Sequence, residues 1–357
     1  MIPPGETIGI LGGGQLGRML AMAAAQLGYR AHVYAPEADS IAAEVCGDFT
    51  CAGWYDGEAL ARFAKACAVV TYEFENVPVP PLAALGATAV LPGPNALEIA
   101  QDRVSEKRFA EKLGGCPAKW AQVDGPGDLD VALAAVGTPG ILKTRRDGYD
   151  GKGQWRIASD DEAKALELPS KPLVYEALVD FACEFSVIVV RGADGDVRFW
   201  DSAQNVHKGG ILAHSAVPAS ALVLAQLGEA RDLAAKAAAA LDYVGVLTLE
   251  FFATAQGPVF NEMAPRVHNS GHWTIEGAVT SQFENHIRAI CGLPLGDTAL
   301  AAKRVEMRNV IGGDDTGWAA EDWAAILGDP ANHLHLYGKA AVRPGRKMGH
   351  VTRLTLS

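Results

Sequence analysis

Residues 7–20 read TIGILGGGQLGRML: an apolar run, a cluster of glycines, then the start of an alanine-rich stretch. Nothing else in the chain restricts its fold as strongly. An apolar run that stops at glycines reads as a buried parallel strand. The following "MLAMAAAQLGY" carries helix formers as far as Gly28, and "RAHVYAP" supplies a second strand. That β–turn–α–β order opens a doubly wound parallel sheet. Inside the turn stands the frame Gly12-x-Gly14-x-x-Gly17. Its spacing is that of a dinucleotide fingerprint, but such a turn suits any phosphate at a helix start. The rest of the chain has to decide the ligand.

At 357 residues the chain is long enough for two or three domains. Its net charge of −11 argues against a broad nucleic-acid or anionic-membrane surface. No run approaches the roughly 18 apolar residues of a membrane span, and the N-terminus lacks the pattern of a signal peptide. Cys46, Cys51, Cys67, Cys116, Cys183 and Cys291 are scattered, with no C-x-x-C pair and no His at ligand spacing. They read as reduced thiols of a cytoplasmic protein rather than as zinc ligands or a nucleophile.

Further along, "AVVTYEFENVP" gives a strand with Glu73 and Glu75 at its carboxyl end, where open α/β sheets bind ligands. "TAVLPGPNALEIAQDRVSEKRFAEKLG" passes from a Pro/Gly turn into a polar helix, with a boundary near residue 100. "GTPGILKTRRDGYDGKGQWRI" is strand, glycine-rich loop and strand, and "LVYEALVDFACEFSVIVVR" is more strand. "LAQLGEARDLAAKAAAALDY" is a helix, "GVLTLEFFATAQGPVFNEMAPR" is two strands about a turn, and "LHLYGKAAV" and "MGHVTRLTL" belong to a β-rich closing segment.

Four stretches carry chemistry. In "LTLEFFATAQGPVFNEM" a turn centred on Gln256 pairs Phe252 with Phe260 and Glu250 with Glu262, so both glutamates project from one face. Like charges directly opposed on a sheet repel. A divalent cation reverses that sign, and Mg²⁺ takes hard oxygen ligands shared with water and phosphate. Two solvated glutamates on an exposed face are the alternative, which the apolar flanks disfavour. The second stretch, "RRDGYDGKGQ", has Gly148, Gly151 and Gly153 to present N–H groups to an anion, Lys152 at its tip and Lys143 on the entering strand. A hairpin without a ligand is its alternative, and it is not the G-x-x-x-x-G-K-[ST] phosphate loop. The third, "APRVHNSGHWT", crowds Arg266, His268, Asn269 and His272 just after Glu262; the planar fork of an arginine fits carboxylate or bicarbonate. With no G-x-S-x-G elbow, a Ser/His/Asp hydrolase is disfavoured. The fourth, "YGKAAVRPGRKMGH", gathers Lys339, Arg343, Arg346 and Lys347 in an acidic protein, either as solvated charge or as the seat of a phosphorylated substrate.

Together "GILGGGQLGRML", "TYEFENVP", "ILKTRRDGYDGKGQWR", "VFNEMAPRVHNSGHWT" and "LHLYGKAAVRPGRKMGHV" resemble, block by block and in order, the ATP-grasp superfamily and within it the N5-carboxyaminoimidazole ribonucleotide synthetase family. "YEFENVP" and "GYDGKGQ" are specific to that branch, whereas paired metal glutamates occur across the superfamily. The resemblance implies an α/β chain, α+β in its ATP-grasp part. A Rossmann-like pre-ATP-grasp domain would span 1–102, a small lid domain 103–178 and a large domain 179–357, with a β-rich closing segment from about residue 295. It also implies ATP- and bicarbonate-dependent carboxylation of 5-aminoimidazole ribonucleotide through carboxyphosphate, giving ADP and phosphate. ATP and Mg²⁺ are the implied cofactors, a homodimer the implied assembly, and a downstream mutase the implied recipient of the product.

By the same resemblance Glu250 and Glu262 hold Mg²⁺. Arg103, Lys143 and the loop of Gly148, Tyr149, Asp150, Gly151, Lys152, Gly153 and Gln154 cover the ATP phosphates. Glu176, Ala177, Leu178 and Val179 form a hinge whose backbone reads adenine. Glu184 binds the ribose, and His207 and Asn261 complete the nucleotide shell. Arg266, His268 and Asn269 serve bicarbonate, with Lys339 among the catalytic groups. The ribonucleotide takes Gly14, Gln15 and Leu16 at the first turn, and Glu73, Tyr149 and Asp150 at its ring and ribose. Its 5′-phosphate takes the helix-start N–H groups with Lys339 and Arg346. Ala264 stands where many ATP-grasp enzymes carry Asn, leaving fewer protein ligands for metal. Two rivals remain. Another ATP-grasp ligase would use formate or an amino acid. An NAD-dependent oxidoreductase would use Glu37 at the ribose but leaves the second half of the chain unexplained.

Overall fold

The structure, a computed structural model, describes residues 1–125, 127–146, 148, 153–313 and 323–356. The chain opens with β1 (Thr7–Leu11), α1 (Gln15–Gln26), β2 (Arg30–Ala35), β3 (Asp48–Cys51), α2 (Gly57–Lys65), β4 (Val69–Tyr72), α3 (Pro94–Ala100) and α4 (Arg103–Lys112). The four strands form a parallel sheet in the order β3-β2-β1-β4, as the opening turn predicts. Helix α1 begins earlier than expected: Gln15 to Arg18 belong to its first turn, and only Gly12–Gly14 lie outside it. Asp102 caps the N-terminus of α4 by accepting from the N–H groups of Val104 and Ser105, which fixes where that helix begins.

A second antiparallel sheet, order β5-β8-β6-β7, is built from β5 (Trp120–Val123), α5 (Asp128–Val136), β6 (Gly140–Thr144), β7 (Gln154–Ile157), α6 (Asp160–Ala165) and β8 (Leu173–Ala177). The third part runs β9 (Cys183–Arg191), β10 (Val197–Phe199), β11 (Ala203–Lys208), β12 (Ile211–Val217), α7 (Ala221–Ala240), β13 (Gly245–Thr254), β14 (Gly257–Ala264), α8 (Thr274–Gly277), α9 (Gln282–Ile290), β15 (Arg304–Ile311), α10 (Trp323–Gly328), β16 (Asn332–Leu336) and β17 (Lys347–Thr355). Its nine strands make one antiparallel sheet ordered β14-β13-β9-β11-β12-β15-β17-β16, with β10 on β9. The stretch "LHLYGKAAV" is strand only as far as Leu336; the residues after it form a loop that carries Lys339 and Arg346.

The β13–β14 hairpin departs from the expected register in one respect. Thr254 pairs with Gly257 and Phe251 with Phe260, so Phe252 faces Val259 and not Phe260. Beyond Phe251 a bulge inserts one residue in β14, and Glu250 then pairs with Glu262. The bulge lets the consecutive residues Asn261 and Glu262 both line the cavity while Phe260 stays in the core.

The parallel sheet and the large sheet are pinned together at His286 on α9, which is fully buried. Its Nδ1 accepts from Val246 N–H of β13 at 3.1 Å, which leaves Nε2–H to donate to Thr71 Oγ1 of β4 at 2.8 Å. Burial lowers its pKa from 6.5 to about 3. In the unfolded chain the ring protonates near 6.5, so its contribution to stability is complete above that pH and is lost as pH falls toward 3. In urea unfolding, the drop in midpoint between pH 7 and 4.5 is therefore smaller for His286→Gln than for the wild type; an unchanged slope contradicts the bridge.

Candidate active site

All three parts meet at a cavity of about 420 Å³. Its floor is the bulged hairpin. Glu250 on β13 has a side chain only 9% exposed, and Glu262 opposite it is 42% exposed. Burial and the facing Glu262 push the Glu250 carboxyl up to about 8. Glu106 on α4 adds a third acid: its carboxylate accepts from Met263 N–H at 2.5 Å, and burial with Glu262 raises it likewise to about 8. No group of three or more His, Cys, Asp or Glu among the described residues is gathered closely enough to hold a metal, so it is the facing pair Glu250 and Glu262, and not a three-acid cluster, that suits a hard cation. Arg103 spans from Glu262 to the carbonyl of Gly148, each contact at 3.4 Å, and so ties the floor to the glycine-rich segment.

Lys143 of β6 also reaches the cavity, held by Glu176 at 2.9 Å. The other oxygen of Glu176 faces Lys107 of α4 at 3.2 Å, and Lys107 is 1% exposed. Burial opposes ionisation of Glu176, but Lys143 and Lys107 outweigh it and pull the carboxyl down to about 2. The expected backbone role for this segment is therefore only partly available. Ala177 N–H donates to Lys119 O and Leu178 N–H to Pro139 O, because β8 sits inside its sheet, and none of Glu176 to Val179 lines the cavity. Glu184 and His207 do line it and contact each other through Oε2 and Nδ1.

The segment after β14 forms the opposite wall. Arg266 Nε donates to Glu75 at 2.5 Å. His268 accepts the Ser270 N–H at Nδ1, which leaves Nε2–H facing Glu250 at 3.3 Å. Burial, with Arg266 and Lys347 nearby, keeps this imidazole well below its usual pKa. Asn269 is 7% exposed, and neither polar atom of its amide has a hydrogen-bond partner among the described residues.

Gln15, Leu16, Gly148 and Gln154 line the same space, as expected, together with Asn261. Gly153, Gly14 and Glu73 do not, and Tyr149, Asp150, Gly151 and Lys152 lie outside the described residues. Two expectations change. The N–H groups of Gly14 and Gly17 are taken by Glu73, at 2.9 and 3.2 Å, so they are not available to a 5′-phosphate. In the basic segment it is Lys347, at the start of β17, that lines the cavity; Lys339 donates to the Lys347 carbonyl at 2.7 Å and Arg346 to Ala341 O at 2.7 Å. Sequence reading missed Glu106 and Phe252 as site residues, and it placed Glu75 and Lys347 in candidate stretches without giving either a role of its own. Phe252 was legible, since strand alternation puts it on the face of Glu250. Glu106 was not, because only packing of α4 against β14 brings it in.

Sequence profiles match in three consecutive pieces: the ribonucleotide synthetase pre-ATP-grasp domain over residues 5–101, the ATP-grasp domain over 108–283 and the phosphoribosylaminoimidazole carboxylase C-terminal domain over 306–357. The N5-carboxyaminoimidazole ribonucleotide synthase of Brucella melitensis is 52% identical, over 99% of this chain and 97% of that protein. The chain belongs to the N5-carboxyaminoimidazole ribonucleotide synthase family. Members of this ATP-grasp ligase family carry out the ATP-dependent carboxylation of 5-aminoimidazole ribonucleotide. The crystal structure of the Thermus thermophilus synthetase superposes with a TM-score of 0.91 at 48% identity, covering 98% of this chain and 94% of that one. An Aspergillus clavatus synthase, solved in complex with ADP and 5-aminoimidazole ribonucleotide, superposes with a TM-score of 0.90 at 33% identity, covering 99% and 94%.

The crowding of acids in this synthase family member has a measurable cost. A Glu250 carboxyl held at about 8 by burial and Glu262 costs stability at any pH above the 4.5 at which it ionises in the unfolded chain, so at pH 7 the melting temperature of nucleotide-free Glu250→Gln lies above that of the wild type while catalysis fails. A melting temperature unchanged or lowered in Glu250→Gln contradicts the repulsion.

Proposed function

We propose that the cavity carboxylates the amine of 5-aminoimidazole ribonucleotide by way of carboxyphosphate. A bicarbonate oxygen attacks the γ-phosphorus of ATP and ADP leaves. The amine nitrogen then forms a bond to the carboxyl carbon, phosphate departs with the bridging oxygen, and the nitrogen gives up a proton. What supports this assignment best is that the paired glutamates and the group of Arg266, His268, Asn269 and Lys347 line one cavity. An acidic, cation-seeking floor suits a triphosphate, and a cationic wall suits bicarbonate and the developing carboxyphosphate.

Glu250 and Glu262 are the residues that would hold Mg²⁺. Two facing carboxylates, one of them raised to about 8 without a cation, fit a hard ion that keeps waters and phosphate oxygens in its shell. When bound, that ion supplies charge neutralisation at the phosphates. Arg103 and Lys143 bind phosphate oxygens from the sides, with Gly148 and Gln154 beside them. Ile141, Leu212 and Phe252 give the cavity an apolar end for the adenine ring, and Glu184 with His207 meets the ribose. Asn269, buried with both amide atoms unpartnered among the described residues, is placed to hydrogen-bond bicarbonate. Arg266 and Lys347 neutralise it, and Glu75 fixes the Arg266 fork. The ribonucleotide lies toward Gln15, Leu16 and Glu73, with its 5′-phosphate toward the basic segment around Lys339, Arg346 and Lys347. Closure over the site protects carboxyphosphate from water.

From the family resemblance we further propose a homodimer in the cytoplasm that passes its product to a mutase. No helix among the described residues is long and apolar enough to cross a membrane.

The test is phosphate release from Mg-ATP. Release requires both bicarbonate and 5-aminoimidazole ribonucleotide, and formate or amino acids do not replace bicarbonate. Equal release with and without the ribonucleotide overturns the substrate assignment. Glu262→Gln lowers kcat by on the order of 10² or more, the scale of losing one preorganised electrostatic group. Wild-type activity in that variant removes the metal assignment.

A further inference from the structure

Helix α9 carries a fully buried amide that lies outside the cavity and touches one of its wall residues. Gln282 is the first residue of that helix, behind the N-cap Ser281, which accepts from Glu284 N–H at 3.1 Å. The Gln282 Oε1 accepts from His268 N–H at 2.9 Å, and its Nε2 donates to His268 O at 2.6 Å. Both backbone groups of His268 are thus held by one side chain from 14 positions away.

The geometry accounts for a glutamine here. His268 has φ −129° and ψ 152°, and an extended residue turns its N–H and C=O to the same side. A partner strand meets such a residue with one carbonyl and one N–H, and a glutamine amide offers that same pair on one planar group. A glutamate carboxylate has no donor, and asparagine is one methylene shorter.

Two further contacts fix the amide. Gln282 N–H, a first-turn donor with no partner inside its helix, goes to Thr274 Oγ1 at 3.0 Å, and Thr274 Oγ1 donates to Gly271 O at 2.6 Å. Gly271 passes so close that a Cβ there would lie 2.7 Å from Gln282 Cδ and 2.6 Å from Ile188 Cδ1. One turn along α9 from Gln282 stands His286, which pins the helix to β4 and β13. The place of His268 is therefore set by the two sheets through α9, and not by its own loop alone.

We infer that Gln282 is a positioning residue for the carboxylation site: its amide stands in for a strand and fixes the backbone from which His268 and Asn269 line the cavity. The consequence for bicarbonate rests on the function proposed above; the clamp itself does not.

Gln282→Met keeps the length of the side chain and removes the amide. Deuterium exchange at the His268 N–H, read by NMR in the nucleotide-free protein, then quickens by on the order of tenfold or more beyond any change at the β14 amides. Unchanged exchange overturns the clamp. In phosphate release, KM for bicarbonate rises about tenfold in Gln282→Met while KM for ATP stays within about twofold. A loss of folded protein alone would lower the apparent kcat and leave both constants where they were. Faster exchange with KM for bicarbonate unchanged, or with both constants rising together, overturns the positioning role. Should Gln282→Met fail to fold, Gln282→Asn decides on the same two readings, since it keeps a polar amide too short to span both groups. Failure of the function proposed above is a separate result: wild-type release then shows no dependence on bicarbonate, whatever the exchange at His268.

Discussion

Two carboxylates placed opposite each other at the bottom of a cavity repel, and much of the site is arranged about that repulsion. The neighbouring strands hold Glu250 and Glu262 in place regardless of their charge, since β13 is hydrogen-bonded on both edges, to β9 and β14. Phe251 and Phe260 pack on the opposite face and secure the hairpin to the core. With Glu250 held up at about 8, a proton relieves the crowding in the empty site, and a multivalent cation with its phosphates is what we propose takes its place. Arg103, reaching from Glu262 to the glycine-rich segment, carries that charge balance into the lid.

The same principle recurs with opposite sign at the phosphate side. Lys143 and Lys107 share Glu176 between them, so the lysine we propose for the nucleotide phosphates rests on a carboxylate that keeps a second partner. A lysine with such a resting place can leave it without stranding a buried charge, which would be costly in a low-dielectric interior. In the wall built from Arg266, His268 and Lys347, burial and then the neighbouring cations keep the imidazole neutral, with its proton directed at Glu250.

The glycine frame shows how a correct motif can mislead. Its spacing was read as a phosphate cradle, and the helix start is indeed a cradle for an anion. The anion is Glu73, which the sequence placed nearby only as the end of another strand. Likewise the basic run near the C-terminus was legible as a cluster. Which of its members reaches the cavity depended on where β17 begins, and that is set by pairing with β15 and β16.

Local pattern therefore determined the strand–turn–helix opening, the hairpin that carries the two glutamates, and the family to which the blocks belong. Hydrophobic period, glycine positions and motif order are properties of short segments and survive in the sequence as written. Tertiary structure alone decided the one-residue bulge that brings Glu262 onto Glu250, the arrival of Glu106 and Lys347, and the insertion of Glu73 among the glycines. Each of those depends on which distant surfaces pack together, with separations such as the 157 residues between Glu106 and Met263. No short window of sequence contains both partners.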